Sequence, residues 1–175
     1  MSADEATVMV WDPIVRIFHW TVVAGCVANL FLLEDGGLAH EVIGYTVAAA
    51  LTVRIVWGFV GSRHARFADF VPRPRQLLPY LTLLAHRREP RQLGHNPAAA
   101  VMILILMALL AGVSITGWMA TLDAFWGVEW VEELHEGTAE AILWLALIHA
   151  AAAIYESLRH GENLVWAMFT GRKRA

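Results

Sequence analysis

Four apolar runs, at about residues 15–33, 42–60, 98–119 and 134–155, limit most strongly what this chain can become. Each is about twenty residues long, enough for an α-helix to cross a hydrocarbon core about 30 Å thick. The composition agrees: 58% of the residues are hydrophobic and 17% charged, where a soluble domain carries about a quarter charged. The expected fold is all-α, an integral membrane protein built as a four-transmembrane-helix bundle over residues 1–175, with an inner loop at 61–97. Residues 1–14 contain Asp4, Glu5 and Asp12 and lack the basic start and small-residue cleavage site of a signal peptide. Cys26 is the only cysteine and lies in the first run, which excludes disulfide frameworks and thiolate clusters.

The net charge of −3 hides an uneven distribution. The 61–97 connection holds Arg63, Arg66, Arg73, Arg75, Arg87, Arg88 and Arg91 against Asp69 and Glu89. The other two connections are acidic, with Glu34, Asp35 and Glu41 in one and Asp123, Glu129, Glu132, Glu133 and Glu136 in the other. Basic loops stay in the cytoplasm, which places 61–97 and both termini inside and the acidic connections outside. The arginine-rich loop lacks aromatic interleaving and follows a span directly, so it is not read as a nucleic-acid site.

Local signals sharpen the boundaries. In VWDPIVRIFHW, Asp12 before Pro13 is a helix start, with Trp11 and Trp20 suited to an interfacial belt. Residues 1–10 read as a frayed lead-in. Arg16 precedes His19 by one turn on the same face. Gly36-Gly37 separates the first two spans. His40 opens the second span, Gly44 and Ala48 stack beneath it, and Arg54 lies fourteen residues on, near the same face. The prolines at 72 and 74 argue against a regular helix there, and 76–85 reads as a short amphipathic helix. His95-Asn96-Pro97 caps the third span. That span has no internal histidine, and its Gly112, Thr116 and Gly117 read as a packing face that completes the bundle. Residues 118–133 hold three tryptophans among acids, an outer cover lying flat on the membrane. The tail reads as a second short amphipathic helix with Trp166 in the headgroups.

Four histidines sort by depth into two pairs: His19 with His149 near the inner surface, His40 with His135 near the outer one. His135 and His149 are fourteen residues apart on one helix, about 21 Å along its axis and on much the same face. Two imidazoles from facing helices are what axial ligation of a haem iron requires. No CxxCH motif is present, so such haems would be b-type and non-covalent. Arg54 and Arg16 are suited to the propionates of the inner haem. Zinc or copper sites, which want three or four clustered ligands, proton translocation through lone histidines, and purely structural histidines stay open as alternatives.

The motifs VWDPIVRIFHW, AHEVIGYTVAAALTVRIVWGFVGSRHARFADF, LGHNPAA, ELHE with His149, and GENLVWAMFTGRKR cover nearly the whole chain. Together they resemble the bacterial di-haem cytochrome b561 family, close to the b-type cytochrome subunits of hydrogenases, although the larger hydrogenase subunits carry extra material. The resemblance implies a four-helix bundle with two haem b groups, His19 and His149 on the inner iron and His40 and His135 on the outer one.

The function expected is transmembrane electron transfer between the membrane quinone pool, with quinone or quinol as substrate, and a redox partner. Two alternatives stand beside it: a haem-bearing anchor that docks a separate catalytic redox subunit, and superoxide oxidation with quinone as acceptor. An inner quinone site would use Arg16, His95 and Asn96, with His64 or His160 nearby; an outer one would use the cover around Trp126 and Trp130. Glu132 or Glu136 could take the second ring nitrogen of the outer ligand, with simple solvent exposure as the alternative. The acidic outer face suits a basic periplasmic c-type cytochrome. The expected location is the bacterial inner membrane, and small-residue faces allow a homodimer.

Overall fold

In a computed structural model of the chain, residues 6–33 and 36–175 are described. Glu34 and Asp35 of the acidic first connection, and Asp4 and Glu5 of the lead-in, lie outside them. The elements in order are β1 (Thr7–Met9), α1 (Pro13–Phe31), α2 (Leu38–Val60), α3 (Phe67–Phe70), α4 (Pro74–Ala85), α5 (Pro97–Ala120), α6 (Glu129–His160), α7 (Leu164–Thr170) and β2 (Arg172–Arg174). Helices α1, α2, α5 and α6 are each long and apolar enough to cross a membrane, and only 6–22% of their apolar windows is buried within the protein. So much apolar surface left uncovered is the mark of helices solvated by lipid.

The helix starts follow local chemistry. Asp12 Oδ1 accepts the Val15 N–H at 3.0 Å and Asn96 Oδ1 accepts the Ala99 N–H at 2.8 Å. Each cap is worth about 1 kcal/mol, and each sits before a proline that needs no donor of its own. Helix α4 begins at Pro74, two residues before the expected start, because a first-turn proline gives up only an N–H that lacks a partner anyway. Gln76 Oε1 turns back to accept the Arg73 N–H at 3.0 Å. Helix α6 is longer than the apolar run inside it, extending from Glu129 to His160. Helix α7 is capped by Asn163 and stops at Gly171, whose φ of 80° is the left-handed turn glycine accepts most readily.

The chain divides into two compact units. The first comprises residues 1–16, 56–103 and 148–175, the second 17–55 and 104–147.

The first unit is held by a small apolar core and a polar network. Val10, Trp11, Val15, Ala65 and Ala167 form the core, with Trp57 and Met168 against it. Trp11 is therefore an interior residue and not the interfacial anchor expected of it. The lead-in is not frayed at residues 7–9 either: β1 pairs antiparallel with β2, Val8 opposite Lys173. Asp12 accepts the Trp57 indole N–H at 2.9 Å and the Ser62 hydroxyl. Burial raises its pKa, but these donors and the Val15 and Ile14 amides outweigh burial and hold it below 3.8. Glu162 takes both Arg91 Nη2 at 3.0 Å and Nε at 3.2 Å, the Arg174 N–H at 2.8 Å, and the Lys173 ammonium at 3.5 Å. Lys173 also donates to the Gln92 carbonyl at 2.9 Å, tying β2 to the long connection.

The second unit relies on close packing. A Cβ on Gly25 of α1 would lie 2.6 Å from Val47 Cγ2 and 3.3 Å from Ile43 Cγ2 on α2, so the glycine is what lets these two helices approach. Asn29 on α1 donates to the His40 carbonyl at 3.1 Å, and Tyr45 on α2 meets Thr121 after α5 at 3.3 Å.

Candidate functional site

In the second unit, His40 in the first turn of α2 and His135 in the second turn of α6 face each other. Their ring centroids are 6.1 Å apart and the planes cross at 57°. A metal–imidazole bond is about 2 Å and the ring centre lies about 1 Å beyond the nitrogen, so two axial imidazoles on one metal stand about 6 Å apart. The observed separation is close to that value, so His40 and His135 are the two residues that would hold the iron of a b haem here.

The surroundings of His135 come largely from α5. Thr116 is buried, and its Oγ1 lies 3.1 Å from His135 Nδ1. Gly117, next along, leaves room for the imidazole: a Cβ there would be 3.0 Å from Cε1 and 3.4 Å from Nδ1. The third span thus supplies a polar contact to His135 as well as packing. Glu132 and Glu136 are exposed, which is the second of the two readings weighed for them. Thr116 was missed because a threonine on an apolar helix resembles any other small packing residue.

His19 on α1 belongs to the second unit, half-buried, with its ring edge-on to Trp20 at 4.9 Å. His149 on α6 belongs to the first unit and is half-buried there. Arg54 is 2% exposed in α2. Arg16 donates to the Phe169 carbonyl near the end of α7.

The residues expected around an inner quinone do not act as one group. Asn96 spends its carboxamide oxygen on the α5 cap, and Arg16 is engaged with α7. His95 is stacked between Trp11 at 4.5 Å and Phe70 at 5.0 Å and lines a cavity of about 430 Å³ with Asp69, Gln76, Tyr80 and Gln92. The Tyr80 hydroxyl is buried and has no hydrogen-bond partner among the described residues. Burial first, then the charges of Glu156 and Glu89, push its pKa up to about 12, so it stays a proton donor at any physiological pH.

One further cluster lies in the first unit. Glu89, Glu156 and His160 bring a ligand atom each within 4.8 Å of one another. Arg159 Nε meets Glu89 at 2.8 Å, and His160 Nε2 lies 3.1 Å from Glu156.

The family model for prokaryotic cytochrome b561 matches residues 10–171. A probable Ni/Fe-hydrogenase B-type cytochrome subunit of Bradyrhizobium diazoefficiens is 26% identical over 99% of this chain and 88% of its own length. The corresponding protein of Rhodobacter capsulatus is 26% identical over 97% of this chain and 82% of its own. That of Azotobacter vinelandii is 22% identical over 95% and 88%. No solved structure matches significantly. With four apolar helices and a family match over nearly its whole length, the chain belongs to the prokaryotic cytochrome b561 family, multi-pass membrane proteins of the b-type cytochrome class that use haem b.

Proposed function

We propose that the protein carries electrons across the bacterial inner membrane between the quinone pool and a redox partner, through two b haems. His40 and His135 hold one haem, and His19 and His149 the other. The observation that carries this reading is the 6.1 Å separation of the His40 and His135 rings. Haem b, when bound, supplies a centre that gains and loses one electron at a time. The remaining roles fall to this chain's side chains. The imidazoles fix orientation and basicity. Arg54, buried in α2, and Arg16 offer positive charge to carboxylates that would otherwise be stranded in an apolar medium.

The cavity beside His95 is the proposed quinone headgroup site. Its volume of about 430 Å³ suits a ring-sized ligand, and Tyr80, Gln76 and Gln92 are donors for the two ring oxygens. A quinol there gives up two electrons and two protons; His95 and Asp69, the latter paired with Arg66 at 2.8 Å, line the same cavity and would receive the protons. The arginines of 61–97 put this side in the cytoplasm, with both termini. The acidic outer connection then meets the partner, for which a c-type cytochrome of basic surface is suitable. Superoxide as the outer electron donor is a variant of the same scheme.

The first test is haem stoichiometry with the reduced-minus-oxidised spectrum, in the parent protein and in His19→Ala, His40→Ala, His135→Ala and His149→Ala. The expected result is two haems per chain, with one lost in each variant and the losses grouped as 19 with 149 and 40 with 135. A single haem untouched by His40→Ala and His135→Ala would refute it. The second reading, an anchor that docks a catalytic subunit, is favoured by relatives named as hydrogenase cytochrome subunits. It predicts poor quinol reduction by the isolated chain and recovery with a partner present.

A further inference from the structure

The Thr116 hydroxyl has one proton and three oxygen or nitrogen neighbours. Oγ1 lies 3.0 Å from the Gly112 carbonyl, 3.2 Å from the Val113 carbonyl and 3.1 Å from His135 Nδ1. Carbonyl oxygens only accept, so the hydroxyl proton is committed to the preceding turn of α5. What remains toward His135 is a lone pair. A lone pair at 3.1 Å is met by an N–H, which puts the imidazole proton on Nδ1 and leaves Nε2 as the bare donor.

From this we infer that Thr116 is the positioning residue of the outer haem site: it selects the His135 tautomer whose Nε2 binds iron and fixes the ring's rotation about its own axis. The inference rests on the haem reading of the His40–His135 pair. Two other observations define the frame. Gly117 leaves the ring free to reach Thr116, since a Cβ there would press on Cε1 at 3.0 Å. Asn29 secures the opposite ligand by holding the His40 carbonyl at 3.1 Å. An acceptor on Nδ1–H also makes Nε2 more basic, which favours the more highly charged ferric iron. The threonine therefore lowers the midpoint potential of the outer haem.

The test uses the full chain, purified with its haem, and compares Thr116→Val, which keeps shape and drops the hydroxyl, with Thr116→Ser, which keeps the hydroxyl. Redox titration resolves the components, and the outer one is that lost in His135→Ala. In Thr116→Val the outer component should titrate at a higher potential, with its low-spin ferric resonance shifted and haem retention weakened about tenfold or more. A tenfold change in the ferric-over-ferrous preference reads as about 59 mV for one electron. Thr116→Ser should restore all three. An unchanged potential and resonance in Thr116→Val would overturn the inference, as would a Thr116→Ser protein that behaves like Thr116→Val. If His135→Ala keeps every haem and both potentials, the haem reading of the pair has failed, and the role of Thr116 fails with it. If His135→Ala loses its component and only Thr116→Val is silent, the haem reading survives and the threonine alone is refuted.

Discussion

The two units solve the same problem, holding helix ends together, by different means. In the first unit the ends are tied by charge: Glu162 gathers Arg91, Lys173 and the Arg174 amide, and Asp12 gathers Trp57 and Ser62. In the second unit the ties are small residues, a few hydroxyls and one carboxamide. A buried carboxylate is costly unless its partners surround it, so the first unit is specific about which chain segments meet. Glycine packing is permissive about polarity: Gly25 lets α1 and α2 approach, and Gly117 lets α5 approach the His135 ring.

The contrast can be broken at several points. His40→Ala and His135→Ala should have the largest effect, each removing one of two haems by spectrum, with little change in the melting behaviour of the first unit. Glu162→Gln should come next. It leaves Arg91 and Lys173 short of their counter-charge and should cost about 3 kcal/mol of stability in detergent unfolding, while the outer haem's spectrum stays as it was. Loss of that spectrum in Glu162→Gln would show that the two units are not energetically separable.

Acid should act on the same network. Burial raises the Glu162 pKa, but Arg91, the Arg174 amide and Lys173 more than offset it and hold the value below 4.5. A folded-state pKa lowered in this way contributes stability above the unfolded value near 4.5, and that stability is lost as pH falls through the lower folded value. Thermal midpoints measured from pH 6 down to 3 should fall, and the fall should be shallower in Glu162→Gln. Gly117→Ala should have a smaller, local effect: the His135 ring gives way by a few tenths of an ångström, shifting the outer ferric resonance without removing the haem. Tyr80→Phe should change stability least, within about 1 kcal/mol, because the hydroxyl it removes has no partner to lose. Quinol reduction should nonetheless slow several-fold; an unchanged rate would remove Tyr80 from the headgroup site.

What could be read from the chain and what could not divide along the same physical line. Spans and caps are local properties: a twenty-residue apolar run, an Asp or Asn three residues before an amide it accepts. They appear in the sequence because one segment determines them. Thr116 against His135, Trp11 in the interior, Val8 opposite Lys173 and Glu162 as a hub all need a second segment, distant in sequence, to acquire meaning. The third span illustrates this best. Its Thr116 and Gly117 read in the sequence only as small packing residues, and the approach of α6 is what sets them against His135.

The pairing of Thr7–Met9 with Arg172–Arg174 also has a consequence in time. The contact between Thr7 and Arg172 spans 165 residues of chain. At a ribosomal rate of about 5–20 residues per second, the first strand waits roughly 8 to 33 seconds for its mate. During that interval the four spans are made and can enter the bilayer. The clasp is therefore a late event in biogenesis. A chain interrupted before Arg172 would have its helices but an unpaired first strand.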